Sequence, residues 1–427
     1  MRVLVIGAGG REHALVYKIT QSPECLICYV APGNAGTARE KKAVNIDIKA
    51  DNIRELVRFA QKEYIDLVVV GPEAPLAYGI ADELRKFQID VVGPSKAAAR
   101  LEGSKKFAKE IMHHHGVPTA SYRSFTDYST AVKYLDSASL PTVIKVDGLA
   151  AGKGVSVVRE IEQGKSFIKS VMVDKTFGNS GSQIIIEDYL AGDEISILVL
   201  TDGETSVLFD PAQDHKPIYA GDLGPNTGGM GAYSPVPSIK GKLLYQIQED
   251  ILVPVIHAMR HQELDYRGIL YAGLVLTNSG PKVLEFNVRL GDPETQPLLM
   301  RLKSDILPLL AATAERKLNK LPEPVIEFDP RSSVCVVMSS AGYPGDYEKG
   351  FEITGIEDAE DDPDVKVFHA GTIEKDGEIL TNGGRVLGVT ALGNTLKDAQ
   401  TKAYAACEKI HFENKYYRKD IGFRSIK

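Results

Sequence analysis

The residues best able to do chemistry lie in Glu285-Phe286-Asn287-Val288-Arg289-Leu290-Gly291-Asp292-Pro293-Glu294, where an alternating strand pattern runs into a Gly/Pro turn. Residues two apart on a strand share a face, so Glu285 and Asn287 project together while Phe286 and Val288 face the other way. A carboxylate beside an amide oxygen offers the hard ligands that Mg²⁺ prefers, in a shell usually shared with substrate phosphates. Arg289 falls on the same face, where its planar fork suits a phosphate or carboxylate. The plain alternative is an edge strand with a solvated polar face.

Other candidates are scattered along the chain. Lys145 sits in the β-branched run Thr142–Val146, followed by Gly148, Gly152, Lys153 and Gly154. Such a hairpin-like flap can close over phosphates with backbone donors and a point charge. It is not a Walker loop, because only three residues separate Gly148 from Gly152-Lys153. The opening Gly7-Ala8-Gly9-Gly10 follows an apolar run and precedes a helical pattern, but Glu12 stands where a dinucleotide fingerprint needs its third glycine. NAD is thereby disfavoured, leaving phosphate-ester binding or a tight βα turn. Glu73, in a turn after another apolar run, can accept from sugar hydroxyls or simply begin a helix. The Gly-rich stretch Gly224–Ser234 has no apolar period, which predicts a long functional loop.

These residues need a scaffold. With 427 residues and 43% hydrophobic content the chain can bury a large core and divide into about three domains. Apolar runs at residues 3–6, 27–30, 67–70 and 90–92, alternating with helical stretches at 52–63 and 74–87, predict a parallel α/β sheet. Further on, the pattern predicts a helix over 240–263, strands over 269–276 and 282–287, and a last helix over 395–410. The net charge of -7, from 50 basic and 57 acidic residues, provides no global field for nucleic acid. It leaves room for a local basic pocket. Cys25 and Cys28 have CxxC spacing without a second pair, and His113-His114-His115 lack ligand spacing, so neither predicts a metal site. No apolar run reaches spanning length and the start lacks a signal-peptide core, so a cytoplasmic enzyme without membrane partners is expected.

GAGGREHAL, GNAGT, GPEAPL, GPSKAAARLEGSK, KVDGLAAGKGV, AQDHK, GPNTGGMGAYSP, EFNVRLGDPETQP and YRKDIG, spread over essentially the whole chain, closely resemble the phosphoribosylamine-glycine ligase family of the ATP-grasp superfamily. The resemblance implies an ATP-grasp fold: a Rossmann-like parallel-sheet domain over 1–103, an ATP-grasp domain over 104–327 with a mobile lid near 122–191, and a small α+β domain over 328–427. It implies ligation of glycine to 5-phosphoribosylamine with ATP and Mg²⁺ or Mn²⁺, by a monomer or weak dimer. By the same resemblance Lys105 and Lys145 match phosphate lysines, Gly152-Lys153-Gly154 the flap, Glu187 and Leu190 the adenine linker, and Glu194 the ribose carboxylate. Glu285 and Asn287 match metal ligands. Lys145, Arg289 and Asp214 are the expected catalytic residues; Glu73, Asp214 and Arg289, with Gly10, Asn34 and Thr37 behind them, are those expected around the substrates. Two departures stand out: Pro217 replaces the family's usual arginine, and Asn414-Lys415 a glycine-containing pair. Alternatives are an ATP-grasp ligase with another acceptor amine, or a non-catalytic nucleotide-binding module.

Overall fold

The computed structural model describes residues 1–148, 154–322 and 326–426. The four first apolar runs, joined by an edge strand Ala43–Asn45 that no run announced, form a five-stranded parallel sheet in the order Ala43–Asn45, Ile27–Pro32, Arg2–Gly7, Leu67–Val70, Asp90–Val92. The runs are continuous rather than alternating because both faces are covered. Leu4 and Ile6 feed one core with Leu56 and Ile80, while Val3 and Val5 feed another with Ala14 and Leu15. The helical stretch expected over 74–87 breaks into Glu73–Tyr78 and Ile80–Arg85 at Gly79, whose φ of 93° lies in the left-handed region.

Beyond this sheet, helix Lys105–His114 leads to an antiparallel sheet ordered Tyr122–Phe125, Ile184–Asp188, Thr142–Val146, Val155–Val158. Helices Tyr128–Leu135 and Ile161–Met172 pack on it around a core of their own, with Leu135, Ile144, Val158 and Ile168 at its centre. A second antiparallel sheet runs Ser206–Leu208, Asp193–Thr201, Gly268–Thr277, Gly280–Asn287. In its last pair Gly273 faces Glu285 and Leu274 faces Val283, so Leu284 bulges out of register. The helix expected over 240–263 is interrupted by a wider π turn at Gln248–Leu252.

The last large sheet is ordered Gln213–Asp214, Gly231–Ser234, Ser332–Ser339, Arg385–Gly393, Val365–His369, backed by helix Leu396–Lys409. It joins strands from both sides of the boundary expected at 328. It also corrects the reading of the Gly-rich stretch, which holds strands Leu223–Asn226 and Gly231–Ser234. A Cβ on Gly231 would come within 2.6 Å of the Cys335 carbonyl, so only glycine lets these backbones approach. No helix among the described residues is long and apolar enough to cross a membrane.

Candidate active site

The sheets surround a cleft of about 1370 Å³. A single small-molecule pocket takes roughly 300–1,000 Å³, so the cleft has room for a nucleotide and a second substrate. Glu285, Asn287 and Arg289 line it, and so does the buried Phe286 at its edge, while Val288 is buried and takes no part in the lining. Burial raises the carboxyl of Glu285, but Lys216, Lys145, Lys105 and Arg289 outweigh it and hold the group below its ordinary range. Asn287 is oriented by Arg289, whose Nη2 donates to Oδ1 at 3.1 Å. Arg289 itself lies between Glu102 at 2.9 Å and Glu73 at 3.4 Å.

Lys145 faces this strand from the neighbouring sheet. Its Nζ donates to the Leu284 carbonyl at 3.0 Å, at the register shift, and pairs with Glu187 at 2.5 Å. Glu187 also receives Lys109 at 2.5 Å. Burial raises the Glu187 carboxyl, yet the two lysines bring it below the usual carboxylate range. Lys105 reaches the Gly148 carbonyl at 3.2 Å, and burial lowers its ammonium pKa. Leu190, Glu194 and Gly154 line the same cleft; Gly152 and Lys153 lie outside the described residues.

Below the strand, Lys216 bonds Glu194 at 3.0 Å and approaches Glu285 to 4.0 Å. Burial and the nearby Glu294, Glu194 and Glu285 push the Asp214 carboxyl up to about 7 against the pull of Lys216. The segment carrying Asp214 is fastened from far along the chain. Arg424 donates to the Asp214 carbonyl at 3.3 Å, Gly422 N–H to His215 Nε2 at 2.9 Å, and Arg418 to the Pro217 carbonyl at 3.0 Å.

Three candidates are not brought to the cleft. Asn34 is spent on structure, its Nδ2 donating to the carbonyls of Ala8 at 2.8 Å and His369 at 2.9 Å while its Oδ1 accepts from Gly36 and Thr37. Thr37 is fully buried and bonded to Asn34 and Asn45. Gly10 is buried against Gln296 and Asp292. The neighbouring turn supplies its own anion: Glu12 accepts from Gly9 N–H at 2.6 Å and from Arg11 at 2.5 Å. The turn is a tight βα connection between Arg2–Gly7 and helix Gly10–Thr20, and it borders the cleft. Glu102, Glu294, Lys109, Lys216 and Arg385 line the cleft without having been singled out. Glu102 and Glu294 sit inside the motifs RLEGSK and GDPETQP, and Lys216 ends AQDHK, the only signal they gave.

Models of phosphoribosylglycinamide synthetase domains match the chain in succession: the N domain over residues 1–102, the ATP-grasp (A) domain over 103–295 and the C domain over 333–424. The chain belongs to the phosphoribosylglycinamide synthetase family. Members of it include a phosphoribosylamine–glycine ligase of Rhodopirellula baltica, 49% identical across 99% of this chain and 98% of its own length. Another, from Caldanaerobacter subterraneus subsp. tengcongensis, is 48% identical across 99% of both. A solved phosphoribosylamine–glycine ligase of Thermotoga maritima superposes with a TM-score of 0.85 at 34% identity, covering 99% of this chain and 100% of that one. The fold alone is shared with a biotin carboxylase of Campylobacter jejuni, with a TM-score of 0.72 at 15% identity over 97% of this chain and 92% of that one. As a synthetase of this family the chain is an ATP-binding ligase of purine biosynthesis with the ATP-grasp fold.

Proposed function

We infer that the chain joins the carboxylate of glycine to the amine of 5-phosphoribosylamine, converting ATP to ADP and phosphate, and that it works in the cytoplasm. The observation that carries this reading is the convergence of Lys105, Lys145, Glu285, Asn287 and Arg289 on one cleft with room for two substrates. A carboxylate does not react with an amine at neutral pH because its oxygen leaves poorly, so ATP must first turn it into an acyl phosphate. The carboxylate of glycine attacks the γ-phosphorus and ADP departs. The amine then attacks the glycyl carbon and phosphate leaves from the tetrahedral adduct.

In this reading Lys105, Lys145 and Gly154 hold the phosphates, Leu190 and the backbone at Glu187 read adenine, and Glu194 takes the ribose. Glu73, Asp214 and Arg289 orient glycine and the acceptor amine for in-line attack. Glu285 and Asn287 fit a divalent cation by donor type, an ionised carboxylate beside an amide oxygen. No group of three or more His, Cys, Asp or Glu side chains able to hold a metal occurs among the described residues. Magnesium or manganese at this pair would therefore be shared with nucleotide phosphates, and when bound it offsets their charge. The sheet Tyr122–Asp188, with its separate core, is the lid that keeps water from the acyl phosphate.

Phosphate release measured with ATP, Mg²⁺ and glycine, with and without freshly generated phosphoribosylamine, tests the assignment. Sustained release requires both co-substrates; equal release with an unrelated amine would transfer the chain to another acceptor.

A further inference from the structure

Building on that reading, we propose that the 5′-phosphate of the acceptor is held by Lys349, aided by Lys49, where the loop Tyr343–Lys349 borders the cleft. The cleft-lining cations are mostly committed already. Arg11, Lys109, Lys145, Lys216, Arg289 and Arg385 each pair with a carboxylate of the chain. Among the described residues, Lys49, Lys105 and Lys349 are the lining cations without such a partner. Lys105 points to Gly148 at the foot of the flap, on the nucleotide side. Lys49 and Lys349 remain, one from the parallel-sheet unit and one from the C-terminal unit.

The place of this loop is fixed. Tyr343 Oη accepts from Gly228 N–H at 3.0 Å, and Gly350 N–H donates to Thr381 O at 2.7 Å. Arg385 donates to the carbonyls of Gly228 at 2.8 Å and Asp292 at 2.7 Å, and the Asp292 carboxylate lies against the turn at Gly9. The loop thus stands beside that turn, where an anion would otherwise be sought. At the turn itself Glu12 already takes the Gly9 donor. Between the two anchors the amides of Asp346, Tyr347, Glu348 and Lys349 donate no hydrogen bond within the described residues and are free to complete a phosphate cradle. Asp346 lines the same edge and opposes an anion, which leaves Lys349 to set the balance.

The test compares wild type with Lys349→Met, Lys349→Arg and Lys49→Met, by direct binding of ribose 5-phosphate and of ribose and by steady-state kinetics. A charge-assisted contact of this kind predicts that Lys349→Met raises the dissociation constant of ribose 5-phosphate and the KM of phosphoribosylamine by about tenfold or more. KM for ATP and glycine stays put, Lys349→Arg recovers most of the loss, and Lys49→Met gives a smaller shift. An unchanged KM for the acceptor, or wild type binding ribose 5-phosphate no better than ribose, overturns the subsite. Phosphate-dependent binding lost in Lys349→Met, in a wild type that never turns over glycine and phosphoribosylamine, would uphold the subsite and overturn the ligase reading instead.

Discussion

Lys216, Lys145, Lys105 and Arg289 together hold the Glu285 carboxyl below its ordinary range, so it is the residue whose loss exposes most about the site. Glu285→Ala is expected to lower turnover by about a hundredfold or more while the circular-dichroism melt stays close to wild type. Near-normal turnover at saturating Mg²⁺ would place the cation elsewhere. Arg289 behaves differently, because its fork is shared between Glu73, Glu102 and Asn287. Arg289→Lys should raise the KM of an anionic substrate more than that of ATP, since a point charge replaces the fork. It should also lower the melting temperature, because burial already raises the Glu102 carboxyl and Arg289 is the largest influence opposing that. Equal KM changes with an unchanged melt would reject both roles. Glu285 and Asn287 were legible because strand alternation puts them on one face, and Arg289 because it stands two residues past the strand's end at Asn287. Glu102 was not: its amide partner Val288 and its arginine lie far away in sequence, and a single acid in a helical stretch looks solvent-facing.

At the scale of elements, two connections turn separate sheets into one site. Lys145 donates to the Leu284 carbonyl at the register shift, and the pair of lysines on Glu187 ties helix Lys105–His114 to the sheet that carries Glu187. Lys109→Met leaves Glu187 with Lys145 alone, so the loss of one charged hydrogen bond should destabilise the protein by about 2 kcal/mol and raise the KM for ATP. The shift of the urea midpoint, with phosphate-release kinetics, measures both; a wild-type midpoint would make the pairing incidental. Continuous apolar runs revealed four strands of the parallel sheet because their residues feed cores on both faces, whereas the edge strand Ala43–Asn45, with Val44 exposed, left no such run. The strands within Gly224–Ser234 left no such trace. Gly231-Ala232-Tyr233-Ser234 is buried throughout by pairing with residues a hundred positions on, so neither alternation nor an apolar run marks it. The structural use of Asn34 was equally hidden, since its carbonyl partner at residue 369 belongs to another part of the chain.

For the molecule as a whole, the first and last units meet through buried histidines. His369 N–H donates to His13 Nδ1 at 2.7 Å, and His13 Nε2 pairs with Glu40 at 3.2 Å. Burial lowers the pKa of His13 despite Glu40, and lowers those of His215 and His369 as well. A histidine depressed in the folded state contributes stability above its unfolded value of 6.5 and loses it as pH falls below that value, because the unfolded chain takes the proton first. Asp214, raised to about 7, works the other way and partly offsets the slope. The melting temperature is therefore expected to fall between pH 7.5 and 5.5, and to fall less steeply in His369→Asn; parallel profiles for the two proteins would remove the histidine from the account. The fastening of the Asp214 segment by Arg418, Gly422 and Arg424 has a consequence for shortened chains. The last side chain lining the cleft is Arg385, so a chain truncated after residue 410 carries the whole lining but none of the three clasps. Such a truncated chain is expected to bind ATP while the Asp214 segment hangs unfastened, and direct binding of ATP and of glycine to it would read the two functions apart.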